Sequence, residues 1–124
     1  MSDERASGKS VERLFPFVVR ARMLLVGRET LARSKRQLQC VLISEDISDG
    51  TKQEVLRDFK DYPIIQHFQS AQFEEFFGVR KAKVVGFKKS SLAKSIYAEL
   101  KEFRINAPPA TKSDRETKDG GAQQ

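Results

Sequence analysis

Arginines and lysines are the residues of this 124-residue chain whose types and spacing could do chemistry, and that chemistry is phosphate recognition. From Arg20 to Arg36 the cations are Arg20, Arg22, Arg28, Arg33, Lys35 and Arg36, against Glu29 alone. From Arg80 to Lys94 they are Arg80, Lys81, Lys83, Lys88, Lys89 and Lys94, with no acid among them. Arginine presents a planar fork of donors that fits a phosphate or a guanine edge, and lysine a compact point charge. Between the blocks the sign reverses: Glu45, Asp46, Asp49, Glu54, Asp58, Asp61, Glu74 and Glu75 outnumber Lys52, Arg57 and Lys60. A fold that unites the two basic blocks has a positive face and a negative back, the footprint of a polyanion binder.

The other reactive side chains read as structural. Cys40 is the single cysteine and sits in the apolar run Cys40-Val41-Leu42-Ile43, so it is expected as a reduced, packed thiol. His67 has no cysteine or serine partner at a recognisable spacing. Glu45, Asp46 and Asp49 have the oxygen chemistry of a magnesium site, but at the end of a strand they read first as caps for the next helix. Phe73, Phe76 and Phe77 fall at helical spacing and read as core. No Gly-x-Ser-x-Gly, phosphate-loop or zinc-ligand pattern is present. The expectation is a protein that is not an enzyme, with no cofactor and no metal.

These residues must be positioned by short alternating elements. Val11, Leu14, Phe15 and Val18 follow the spacing of an amphipathic helix, with Ser10 in place to cap it. Met23–Val26 reads as a brief strand stopped by Gly27, and a short helix follows within Arg28–Gln37, carrying Leu31 and Ala32 among long polar residues. Cys40–Ser44 is the strongest strand, and the loop after it leads to a helix with Val55, Leu56 and Phe59 on one side. The pattern repeats: a strand at Pro63–Phe68, a helix capped by Ser70 and ending at Gly78, a strand at Lys83–Phe87, and a last helix opened by Ser90. Four strands alternating with five helices make an α/β protein, a three-layer α/β/α sandwich.

Residues 1–9 and 105–124 each carry balanced charge, so the net charge of +6 belongs to the segment between them. Both ends are expected as disordered tails on one domain over 10–104, because they cannot bury enough apolar surface to offset ordering entropy. The start has no apolar core of a signal peptide, and no later run is long enough to span a membrane. A soluble, cytoplasmic monomer is expected.

The order of particular residues then matters. Arg20-Ala21-Arg22-Met23-Leu24-Leu25-Val26-Gly27-Arg28-Glu29, followed by Val41-Leu42-Ile43-Ser44-Glu45-Asp46-Ile47-Ser48 and Thr51-Lys52, resembles the ribosomal L-seven-Ae / L-thirty-e superfamily, above all its small bacterial ribosome-associated members. Phe77-Gly78-Val79 and Ser91-Leu92-Ala93-Lys94 continue the likeness, which runs from about Val11 to Leu100. The resemblance implies a domain with a four-stranded mixed sheet, one that binds structured RNA, a kink-turn or related internal loop, through the helix after Gly27 and the loop after Gly78. The RNA-binding residues it implies are Gly27, Arg28, Glu29, Thr30, Arg33 and Arg36 on the first element, and Val79, Arg80, Lys81 and Lys83 on the second. Kink-turn binders carry an Asn-Glu pair and a lysine one turn on; Glu29, Thr30 and Arg33 stand there in this chain. A carboxylate cannot donate to a base as an amide does, and the loop at Arg80 is basic, so contact with the RNA backbone is favoured over base reading.

The expected partners are structured RNA, ribosomal RNA among the candidates, and the proteins of a ribosome or ribonucleoprotein. The alternative is a protein-docking module of the same fold. An RNA methyltransferase is disfavoured because the chain has no room for a cofactor-binding domain.

Overall fold

The structure, a computed structural model, describes residues 9–106. Of the tails expected over residues 1–9 and 105–124, residues 1–8 and 107–124 lie outside the described residues, while Lys9 opens the first helix and Ile105 and Asn106 are placed against the sheet. The elements in chain order are α1 (Lys9–Glu12), α2 (Phe15–Arg20), β1 (Leu24–Val26), α3 (Arg28–Arg33), β2 (Leu38–Ile43), α4 (Asp49–Asp58), β3 (Ile64–Gln66), α5 (Ser70–Phe77), β4 (Val84–Lys88) and α6 (Ser91–Leu100). Single 3-10 turns lie at Lys35–Gln37 and Lys101–Phe103.

The sheet order is β1-β4-β2-β3. β4 runs antiparallel to both neighbours, and β2 is parallel to β3, so the sheet is mixed, as expected. Side chains alternate across a strand, and β2 divides its run accordingly. Cys40 and Leu42 enter a cluster with Phe15, Phe73, Ile96 and Leu100, whereas Val41 and Ile43 enter a second with Leu31, Val55 and Phe59. Helices α1, α2, α5 and α6 therefore cover one face and α3 and α4 the other, giving three layers. Phe15 centres the first cluster, its ring 4.8 Å from Phe77, 5.1 Å from Phe76 and stacked at 6.3 Å on Phe87. Removing such a ring would cost about 3–5 kcal/mol. On the other face α3 lies close to the sheet because Gly86 has no side chain: a Cβ there would come within 2.7 Å of Leu38 and 3.2 Å of Leu31.

Three local expectations change. The first amphipathic stretch is two helices, with Ser10 inside α1 rather than ahead of it, because Pro16 supplies no N–H for the carbonyl four residues back. Gln69, not Ser70, caps α5 through a reciprocal arrangement with Gln72. Ser70 is instead held by Asp46, whose carboxylate accepts from its amide at 3.0 Å and its hydroxyl at 2.6 Å. Ser48 caps α4 and Ser90 caps α6, each accepting from the amide three residues on.

Ile105 and Asn106 extend the ordered chain past Arg104. Asn106 accepts from Ile64 N–H at 2.9 Å and donates to the Tyr62 carbonyl at 2.8 Å, while Ile105 N–H donates to the Ile64 carbonyl. These bonds occupy the free edge of β3, which would otherwise present unpaired groups. Among the described residues no helix is long and apolar enough to cross a membrane.

Candidate nucleic-acid interface

β1 ends beside the start of β4, with Val26 paired to Val85. The Gly27 amide then donates to the Val84 carbonyl at 2.9 Å, so the start of α3 and the end of the loop that follows Gly78 are hydrogen-bonded neighbours. Gly27 takes φ 92° and ψ 149°, a backbone region open essentially to glycine alone. It brings no side chain to cap α3, which leaves the amides of Arg28, Glu29 and Thr30 to solvent or ligand. A macrodipole sums aligned peptides, and six residues supply little of one. Side-chain charge must therefore carry most of any attraction for an anion here. The residues from Val26 to Thr30, with Ala32 and Asp58, line an open groove of about 470 Å³.

The basic side chains of these two elements, Arg33 being the last residue of α3, are not equivalent. Arg33 and Arg80 are exposed, and no carboxylate pairs with either among the described residues. Arg28 is held by Glu54 of α4. Lys83 lies 3.7 Å from Asp46. Lys81 adopts a left-handed backbone (φ 56°) and its amide donates to Glu74 at 3.0 Å. Because of that turn, and because β4 begins only at Val84, Lys81 and Lys83 do not share a strand face as simple alternation would require. Val79 is half-buried and packs against the first core cluster, and Thr30 is half-buried, while Glu29 is exposed.

Arg36 is separated from this group. α3 runs back along the sheet, so the turn containing Arg36 precedes β2 at the opposite end, where Lys89 N–H donates to the Gln37 carbonyl at 2.7 Å. The clean division into positive face and negative back also does not hold. Both acidic partners lie beside the basic elements, because β2 finishes at the same end of the sheet as β1: Asp46 lies in the loop after β2, and Glu54 on α4, into which that loop leads.

The hydroxyl of Ser70 holds the Asp46 carboxyl well below the usual carboxylate range. Cys40 is fully buried, and burial pushes its thiol up to about 12, as befits packing rather than nucleophilic chemistry. His67 lies face to face with Phe103 at 3.8 Å and is 3.7 Å from Glu45, so it is packed between elements. Phe73 and Phe77 are buried and Phe76 half-buried, all within the core.

No protein-family model matches this sequence, nor does any curated protein. Among solved structures the chain is similar to a protein of unknown function from Bacillus halodurans, at 23% identity and a TM-score of 0.66. The match covers 74% of this chain and 96% of the other. The two share a fold. That likeness fixes the α/β architecture, while the chemistry of the site rests on this chain's own residues.

Proposed function

We propose that this chain is a non-enzymatic RNA-binding protein that takes structured, kink-turn-like or ribosomal RNA at the end of the sheet where Gly27 meets Val84. The observation that carries the reading is that hydrogen bond, which makes neighbours of the two elements that bear the unpaired Arg33 and Arg80. The α3 amides meet a phosphate, Arg33 and Arg80 add charge-assisted bonds to the backbone, and Thr30 offers a hydroxyl. Glu29 repels a phosphate and accepts from an exocyclic amine, which steers the backbone toward the arginines. The setting is a cytoplasmic monomer joining a ribosome or other ribonucleoprotein.

The pairing of Arg28 with Glu54 and of Lys83 with Asp46 favours a second reading, a protein-docking module, since mixed charge suits a protein partner. A salt titration of binding to a kink-turn hairpin and to a plain duplex separates the two. Preference for the hairpin, lost in an Arg33→Glu, Arg80→Glu variant, supports the RNA reading. Equal, weak binding of both RNAs by wild type and variant alike removes it in favour of docking.

A further inference from the structure

The other end of the sheet gathers a second set of cations that the proposed site does not use. There Lys88 N–H donates to the Met23 carbonyl at 2.9 Å and Lys89 N–H to the Gln37 carbonyl at 2.7 Å, while Leu38 pairs with Lys88. These bonds join the chain just before β1, just before β2 and just after β4. Arg22, Arg36, Lys88 and Lys89 thus flank three adjacent strands, a span of about 10 Å at the usual strand spacing. Arg20, the last residue of α2, lies two residues before Arg22. Arg20, Arg22, Arg36 and Lys89 are exposed and Lys88 is half-buried. No carboxylate pairs with any of them among the described residues, in contrast to the Gly27 end. The stretches 17–23, 34–38 and 87–95, which lie at or lead into this end, contain no acidic residue.

Two further features mark the surface. Arg22 has a left-handed backbone (φ 58°) just past the end of α2, the place where glycine is ordinarily preferred, so an arginine stands there at a conformational cost. Phe17 is 52% exposed, whereas the other phenylalanines among the described residues are buried or half-buried. The Arg20 guanidinium lies 5.0 Å from the centre of its ring. An accessible ring with an arginine against it, beside a run of unpaired cations, is the arrangement on which an unpaired base stacks while its phosphates are neutralised. α2 is six residues long, and its exposed large apolar side chains are Phe17 and Val19.

We infer that this end of the sheet binds a single-stranded nucleic-acid segment, with Phe17 stacking a base and Arg20, Arg22, Arg36, Lys88 and Lys89 contacting the backbone. Paired with the structured RNA proposed for the Gly27 end, it makes the protein a two-ended clamp. The second contact rests on its own residues and stands or falls separately from the first.

The test uses a labelled single-stranded RNA of about 12 nucleotides, the kink-turn hairpin without overhangs, and vesicles rich in anionic lipid. The proteins are wild type, the far-end variant Arg22→Glu, Arg36→Glu, Lys89→Glu, the single Phe17→Ala, and the Gly27-end variant Arg33→Glu, Arg80→Glu. All substituted side chains are exposed, and circular dichroism checks that each variant folds. The far-end variant should lose at least about tenfold in single-strand affinity and about 2 units of logarithmic salt slope. Phe17→Ala should lose roughly tenfold with the slope kept, and the Gly27-end variant should bind the single strand as wild type does. Unchanged single-strand binding by the far-end variant would overturn the inference, as would binding of wild type to vesicles but not to the single strand. Loss of hairpin binding in the Gly27-end variant alone, or failure of wild type to bind the hairpin at all, speaks only to the first site.

Discussion

The Gly27 amide and the Val84 carbonyl, 2.9 Å apart, join two segments that are more than fifty residues apart in sequence. The joint depends on a backbone conformation (φ 92°) that L-residues with a side chain rarely adopt. A Cβ at Gly27 meets no atom within 4 Å, so Gly27→Ala isolates backbone strain from steric clash. It should destabilise the domain by about 1–3 kcal/mol and weaken RNA binding by displacing the first turn of α3. Urea denaturation and hairpin titration of the same variant check both; stability equal to wild type would mean that the turn relaxes without strain.

Glu54 restrains Arg28. Both are partly exposed, so the pair adds little to stability, on the order of 0–1 kcal/mol. Glu54→Gln removes a negative charge next to the groove and frees the guanidinium. Hairpin affinity should rise about two- to fivefold, with a steeper salt dependence from one more phosphate contact. Stability should change little. An affinity that does not rise would place Arg28 outside the interface.

Asn106 closes the β3 edge with two hydrogen bonds, one to the amide of the fully buried Ile64. Asn106→Ala leaves that amide unpaired at a cost of about 1–3 kcal/mol. Each kcal/mol corresponds to a fall of roughly 4–8 °C in Tm for a domain of this size. Thermal unfolding measures it, and an unaltered Tm would mean that Ile105 alone protects the edge.

Asp46 links stability to acid. Its carboxyl is held below its ordinary value by Ser70, so the folded state favours the charged form more than the unfolded chain does. The contribution is complete above about pH 4, the unfolded value, and is lost as pH falls through the lower folded value. Asp46→Asn keeps an acceptor for Ser70 but has no proton to gain. Its denaturation midpoint should therefore fall less steeply than that of wild type below about pH 4, and parallel curves would show that the Ser70 contact is not linked to protonation.

Much of the fold was legible because burial imposes a period on sequence. The apolar run of β2 and the helical stripe of Ile96 and Leu100 in α6 read directly as elements, since each must bury one face or both. Pro16 marks the break between α1 and α2, a local signal masked by the apolar spacing that runs across it. The hold of Asp46 on Ser70 carried none, for no local rule joins residues across that distance.

The sequence by itself determined the alternation of elements, the two cores that a mixed α/β sandwich requires, and the sign of its charge. Only tertiary structure decided which cations stand together. Strand order placed Gly27 beside Val84 and set Glu54 and Asp46 among the arginines and lysines there, while the return of α3 along the sheet carried Arg36 to the far end with Arg22, Lys88 and Lys89. The physical reason is that hydrophobic period is a property of neighbours along the chain, whereas the field at a surface depends on distances through space, which the pairing of strands fixes.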